Sequence, residues 1–334
     1  MKPKEYPFVS IIVVMRNEEE YIEECLKSLI QQDYPKEKYE IIVVDGESTD
    51  ESVNIVKNYM DKYANIRLVN NSKRILASGW NIGIKLAKGD IVIRPDAHSY
   101  VSKDFIRKNV ETLKCVEDAV CVGGRLYNIS KGGFISKAIS NVLSSPFGVG
   151  NSRFRVSEKA GYVDTIAYGA YRKNVFHKVG YFNESLRRNQ DLELHSRIKE
   201  YGGKFYLNPE IKCYYYTRQD FKGLINQAFN NGLWNILTLK FQRKALSVRH
   251  LVPLIFILAL LFNIILSFIS YIGQYLLILQ LLSYIISGSI YAVKICKKEG
   301  GKYFIISLVL FFALHVSYGL GSLFGIIKFI SYNP

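Results

Sequence analysis

The chain has 334 residues, 49% of them apolar, 13% aromatic and 22% charged. That composition excludes a disordered chain, a collagen and a disulfide-stapled mini-protein, and the length suits two domains or one large one. Lys and Arg number 44 against 29 Asp and Glu, a net charge of +15, which points to a nucleic acid, an anionic membrane surface or a phosphorylated substrate.

Residues 8–14 form a β-branched run of the kind that fills a buried parallel strand, followed by helical spacing of Ile22, Cys25, Leu26, Leu29 and Ile30 within 20–32. Residues 39–44 read as a second buried strand. Asp50 is placed to cap a helix marked by Val53, Val56 and Tyr59. A short strand at 66–69, a helix at 77–87 and a strand at 90–93 complete the pattern. Alternating strands and helices with short links predict an α/β sheet with helices on both faces.

Ligands of such sheets sit at the carboxyl ends of the strands. Arg16-Asn17-Glu18 follows the first strand, Asp45-Gly46-Glu47 the second and Arg94-Pro95-Asp96-Ala97-His98 the fourth. No G-x-G-x-x-G and no G-x-x-x-x-G-K-[ST] is present, which argues against a Rossmann oxidoreductase and a P-loop. A diphosphate held by a cation and carboxylates remains.

From residue 251 the chain changes solvent. Residues 251–272 and 275–293 carry no formal charge, and 303–327 carry only His315; each run is near the ~20 residues that cross ~30 Å of hydrocarbon. Three spans are expected, with Gly273-Gln274 as the break between the first two. Lys212, Arg218, Lys222, Lys240, Arg243, Lys244 and Arg249 precede the runs, and Lys294, Lys297, Lys298 and Lys302 join the last two. The positive-inside rule then puts 1–249 in the cytoplasm, in a multi-pass protein of the cell membrane. Residues 8–15 are too short for a secretory signal core. Cys25, Cys115, Cys121, Cys213 and Cys296 lack metal-ligand spacing and are expected to be reduced. Residues 220–239 have amphipathic spacing, open to two uses: an interfacial helix docking on anionic lipid, or a core helix. The expected domains are 1–215, 216–249 and 250–330. No nucleic-acid motif appears, and much of the basic excess lies beside the apolar runs.

Residues 9–18, the block Glu40–Asp50 (EIIVVDGESTD), Arg94-Pro95-Asp96-Ala97-His98, Gly169-Ala170 with 179–184, and Arg188-Asn189-Gln190-Asp191-Leu192-Glu193 together resemble the inverting family-2 glycosyltransferases. Residues 144–150 and 189–191 are similar to succinoglycan-type exopolysaccharide glucosyltransferases. The resemblance implies a GT-A fold and transfer of one sugar, with inversion, from a nucleotide-sugar (a UDP-sugar) to a hydroxyl of a lipid-linked saccharide in surface polysaccharide assembly. It implies Asp191 as the catalytic base, although an Asp at a helix start also caps. Asp45, Arg16, Asn17 and Arg74 fall on the nucleotide side. Arg74 and Lys73 either touch phosphate or simply face water. Asp96 would hold Mn²⁺ or Mg²⁺, and His98, where the family's D-x-D has a second carboxylate, either ligates the metal or braces the diphosphate. Gly169, Ala170 and Gln190, which replaces the first residue of the family's E-D pair, fall on the acceptor side, as does Trp234. Three rival activities are a polyprenyl-phosphate glycosyltransferase, a processive polysaccharide synthase and a non-catalytic membrane scaffold. The absence of Q-x-x-R-W and the small number of spans favour single-sugar addition.

Overall fold

The computed structural model describes residues 6–150 and 152–332. Its elements begin β1 (Val9–Met15), α1 (Ile22–Ile30), β2 (Tyr39–Asp45), α2 (Ser52–Met60), β3 (Ile66–Asn70), α3 (Leu76–Leu86), β4 (Ile91–Ile93), β5 (Ser99–Val101) and α4 (Phe105–Cys115). There follow β6 (Ala119–Ile129), α5 (Phe134–Leu143), α6 (Pro146–Val149), α7 (Arg153–Val156), β7 (Gly161–Val163), β8 (Ala170–Arg172), α8 (Asn174–Val179) and α9 (Gln190–Glu200). The chain continues through β9 (Lys204–Tyr216), α10 (Phe221–Thr238), α11 (Val252–Ser267), α12 (Tyr271–Glu299) and α13 (Tyr303–Ser331).

Two compact units result. The described residues up to Tyr127, with Arg153–Tyr216, make the first; those of Asn128–Ser152 and from Thr217 onward make the second. The expected domain 1–215 is therefore interrupted. Residues 128–152 leave it because α5 buries Ala138, Ile139 and Val142 among Leu224, Ala228, Leu310, Phe311 and Leu314 of the C-terminal helices.

The first unit is built on one sheet of order β3-β2-β1-β4-β8-β6-β9-β5, with β7 added on β9. β1 pairs in parallel with β2 and β4, and β2 with β3, whereas β8 lies antiparallel to both β4 and β6. Each side of the sheet carries its own core. Val9, Ile11, Val13 and Met15 of β1 pack with α1, while Ile12 faces Ala77, Trp80 and Ile84 of α3. This alternation explains the largely apolar run: a parallel strand covered on both faces is apolar at nearly every position, and the one polar residue, Ser10, is buried with its hydroxyl donating to Glu40 at 2.7 Å. Asp50 accepts the Ser52 N–H at 3.0 Å, but Glu51 holds the N-cap position of α2.

In the second unit the apolar runs form three helices, of which two, α12 and α13, are long and apolar enough to cross a membrane. α11 has 16 residues, about 24 Å at 1.5 Å per residue and short of the hydrocarbon thickness. The expected break at Gly273-Gln274 lies earlier. The chain turns at 268–270, Ser270 caps α12 by accepting the Ile272 N–H at 3.2 Å, and Gly273 sits inside the helix where a β-carbon would overlap the Leu266 backbone. α10 runs alongside α13 in the same direction. Gly232 meets the Tyr318 carbonyl and Gly321 the Phe229 carbonyl, each without room for a β-carbon. Every residue of α10 from Gly232 to Thr238 is buried. The last two turns are thus packed inside the second unit, not against the sheet of the first.

Gly83 on α3 lies so close to Ile12 of β1 that a β-carbon would overlap the isoleucine side chain. Gly83→Val is expected to lower the unfolding free energy by about 1–3 kcal/mol through overpacking. Chemical denaturation of the two proteins measures it.

Candidate active site

β1 aligns the strand ends. Met15 is registered with Asp45, and a bridge pairs Val14 with Asp96. Asp45 and Asp96 therefore flank one strand at its carboxyl end, two strand spacings or about 10 Å apart. Asp45 is buried and accepts the Ser48 N–H at 3.1 Å and the Ser48 hydroxyl at 2.5 Å. The loops after β1 and β2 are laced together. Asn17 donates its N–H to Ser48 Oγ at 2.9 Å and accepts the Thr49 N–H on its side-chain oxygen at 2.8 Å, while the Glu18 N–H reaches Ser52 Oγ at 2.7 Å. Asn17, Glu47 and Arg74 all have left-handed backbones, with φ of 54°, 56° and 56°, a concentration of strain typical of functional loops. The side-chain oxygen of Asn17 is thus engaged within the loop, whereas Arg16 is exposed beside Gly46. Arg74 and Lys73 do more than face water: Arg74 is ion-paired with Glu47, and Lys73 reaches Glu184 at 2.6 Å.

Asp96 is half-buried, and its backbone carbonyl accepts the Ser99 hydroxyl at 2.6 Å. His98 turns Nδ1 to Glu18 Oε1 at 2.9 Å. A carboxylate behind one ring nitrogen orients an imidazole for ligation through the other. Among the described residues no three His, Cys, Asp or Glu side chains converge into a self-contained metal cage. A donor set of one carboxylate and one oriented imidazole suits a cation whose remaining ligands are phosphate oxygens and water.

Asp191 occupies the second position of α9, 40% exposed, with Oδ1 accepting the Leu192 N–H at 3.0 Å. α9 is pinned from below. The Glu193 carboxylate takes two bonds from Arg197, at 2.7 and 2.8 Å, and Arg197 also donates to the carbonyls of Val179 and Tyr181. Oδ2 of Asp191 lies 3.9 Å from Nη2 of Arg94, which stands at the end of β4 two residues before Asp96. One sheet edge therefore carries all three expected aspartates.

Other expected positions have different surroundings. Gln190 is buried and donates to the Leu186 carbonyl at 3.0 Å, so it fastens the turn before α9 and does not offer its amide to an acceptor. Gly169 faces the Cys121 sulfur with no room for a β-carbon, and Ala170 is wholly buried in β8; both are packing positions between β4 and β6. Trp234 belongs to the second unit, buried in α10 with its ring 6.0 Å from Tyr332. Cys25, Cys121 and Cys213 are buried and Cys115 is exposed, all as free thiols. Residues not anticipated from sequence are Tyr171, His195 and Thr165, joined by hydrogen bonds at 2.7 Å. The four-residue spacing of Asp191 and His195 on one helix was the available signal.

The model of the glycosyl transferase family 2 domain matches residues 10–180, from β1 to the end of α8. The chain belongs to this family. This glycosyltransferase is 32% identical over 328 residues, 96% of its own length and 98% of the relative's, to a dolichyl N-acetyl-α-D-glucosaminyl phosphate 3-β-D-2,3-diacetamido-2,3-dideoxy-β-D-glucuronosyltransferase of Methanococcus voltae. It is 26% identical to the succinoglycan biosynthesis protein ExoA of Rhizobium meliloti, over 73% of this chain and 74% of that one. Among solved structures, the mannosyltransferase PcManGT of Pyrobaculum calidifontis, in complex with GDP-Man and Mn²⁺, superposes with a TM-score of 0.60 at 17% identity, over 96% of this chain and 88% of that one. Residues 1–349 of TarS from S. aureus, in complex with UDP-GlcNAc, give 0.52 at 18% identity, over 96% and 92%. The glycosyltransferase thus has the GT-A fold, a mixed sheet flanked by helices and followed by apolar C-terminal helices.

His195 of this enzyme is buried, and burial, followed by the charge of Arg94, holds its imidazole well below the ordinary pKa of 6.5. The unfolded chain then binds a proton that the folded one refuses. Stability is complete above pH 6.5 and falls as the pH drops below it, by up to about 1.4 kcal/mol per pH unit from this group. His195→Gln is expected to flatten that part of the profile, as measured by denaturant unfolding between pH 7 and pH 5.

Proposed function

We propose that this glycosyltransferase moves one sugar from a UDP-sugar to a hydroxyl of a lipid-linked saccharide, with inversion at the anomeric carbon, at the cytoplasmic face of a membrane. The observation that carries it is the convergence of Asp45, Asp96 and Asp191 on the carboxyl edge of the sheet, around the end of β1. The Methanococcus voltae relative, aligned over nearly the whole chain, is named for adding a sugar to a dolichyl-phosphate-linked acceptor, which supports the acceptor class. The apolar length of α12 and α13 and the basic residues flanking the apolar helices support the membrane and its cytoplasmic side.

In this reading Asp45 accepts hydrogen bonds from the base or ribose. Arg16 is exposed beside it and Arg74 reaches over the same loop through Glu47, both on the nucleotide side. Asp96, with His98 as second ligand, would hold Mn²⁺ or Mg²⁺. When bound, the cation neutralises charge building on the departing diphosphate. Asp191 takes the proton of the acceptor hydroxyl as the new bond from oxygen to the anomeric carbon forms. The bond from that carbon to the phosphate oxygen breaks with its electron pair, UDP leaves, and Asp191 later returns its proton to water. Attack from the face opposite the leaving group gives inversion.

Purified protein is to be offered UDP-glucose, UDP-N-acetylglucosamine and GDP-mannose with Mn²⁺ or Mg²⁺, with and without a polyprenyl-linked N-acetylglucosamine acceptor. The expected product carries one added sugar of inverted configuration; a lengthening polymer, or no consumption of any donor, contradicts the proposal. Asp191→Asn is expected to lower turnover by about 10²–10⁴-fold with UDP binding unchanged. Asp96→Ala should abolish the Mn²⁺-dependence of UDP binding, and unaltered binding by the unmutated protein in excess chelator removes the metal from the scheme.

A further inference from the structure

Arg94 is a cation with almost no access to water. Its side chain is 5% exposed, and its guanidinium lies 4.4 Å from the Trp80 ring, 5.2 Å from Phe182 and 5.7 Å from Tyr171. Burying a charge is costly unless a counter-charge and hydrogen bonds compensate it. Aromatic faces return part of that cost. The hydrogen bonds go to one phenol, with Nε and Nη2 each 3.3 Å from Tyr171 Oη. The counter-charge nearest the guanidinium is the Asp191 carboxylate, at 3.9 Å.

The hydrogen-bond chain behind Arg94 runs through one phenol. A guanidinium can only donate, so Tyr171 Oη accepts from it, and the same oxygen shares a 2.7 Å hydrogen bond with Nε2 of His195. The other ring nitrogen, Nδ1, shares a 2.7 Å hydrogen bond with Thr165 Oγ1. Together these bonds hold the phenol that orients the cation. The cage is fastened on its other side as well. Asn81 of α3 clamps the Phe182 backbone through both its amide nitrogen and its oxygen, each at 2.9 Å.

Asp191 is consequently held at two points of different character. Oδ1 takes a hydrogen bond from the Leu192 N–H, whereas Oδ2 faces Arg94 beyond hydrogen-bond range. An oxygen steered by a charge yet free of a direct N–H bond keeps its lone pairs for a substrate proton. We infer that Arg94 is the positioning residue of the proposed base: its caged guanidinium fixes the Asp191 carboxylate in the orientation that receives the acceptor's proton. The inference rests on Asp191 being that base.

The test measures nucleoside diphosphate release and donor KM, with Mn²⁺, for the UDP-sugar of the panel above that is consumed faster; a panel in which none is consumed overturns this inference along with the proposed activity. Arg94→Met is expected to lower kcat about 10²-fold, the scale of a mispositioned catalytic group, with KM and UDP affinity within threefold. Arg94→Lys should recover part of the loss, and guanidinium chloride at millimolar concentration should partly restore Arg94→Ala. Adding Arg94→Met to Asp191→Asn should cost little more, because both act on one group. If Arg94→Met does not fold, Tyr171→Phe, which keeps the charge but removes its hydrogen-bond acceptor, should lower kcat about tenfold with KM unchanged. Arg94→Met at full turnover, or losses that multiply in the double variant, overturns the positioning role and leaves Asp191 as base. Full turnover by Asp191→Asn removes the base, and the inference with it.

Discussion

Strand β1 is bonded on both sides by parallel partners, so the carboxyl ends of all three strands point the same way. Their carboxyl ends therefore open into loops along one edge, where the chain must leave the sheet for a helix. The residues at those exits inherit a common location from the register alone: Asp45 beside Met15, Asp96 beside Val14. What the loops contain is free to vary, but where they emerge is not. The two-sided apolar packing of β1 makes this register rigid, since a slip by one residue would exchange the side chains packed on opposite faces.

Around that edge the molecule concentrates its strain and its buried charge. Three left-handed non-glycine residues, Asn17, Glu47 and Arg74, cluster in the loops beside Asp45. Arg94, the residue directly after β4, is enclosed by aromatic rings with Asp191 as its nearest counter-ion. Features that cost stability in this way persist where the surrounding structure over-determines them. Here the determinants are the Arg197–Glu193 pair under α9, the Asn81 clamp on Phe182 and the serine-rich lacing between the first two loops. They carry no chemistry themselves and hold in register the groups that do.

The C-terminal helices obey different rules. Between α10 and α13 the approach is close enough to exclude side chains at Gly232 and Gly321, so the two helices are held by van der Waals packing of backbone on backbone. α10 is correspondingly asymmetric: exposed at Phe221 and Lys222, buried at every residue from Gly232 to Thr238.

Local pattern was enough for the strand–helix alternation, the aspartates at the strand ends and the apolar character of the last eighty residues, because each depends on neighbours along the chain. Burial on both faces of a strand, a carboxylate after a β-branched run and the length of an apolar stretch are all written within a dozen residues. Tertiary structure decided what depends on distant partners. Helix α11 stops short because the chain turns at 268–270, and Gly273 serves a close approach to Leu266 rather than a break. Gly169 and Ala170 turned inward, since Cys121 and the strands around β8 come into range only once the sheet is assembled, whereas Gln190 is held by the Leu186 carbonyl four residues before it. The Arg94 cage is the extreme case. Its walls come from Trp80 of α3, Tyr171 of β8 and Phe182 before α9, the first far from the other two in sequence, and a cation's need for enclosure and counter-charge can be met only after all of them have folded together.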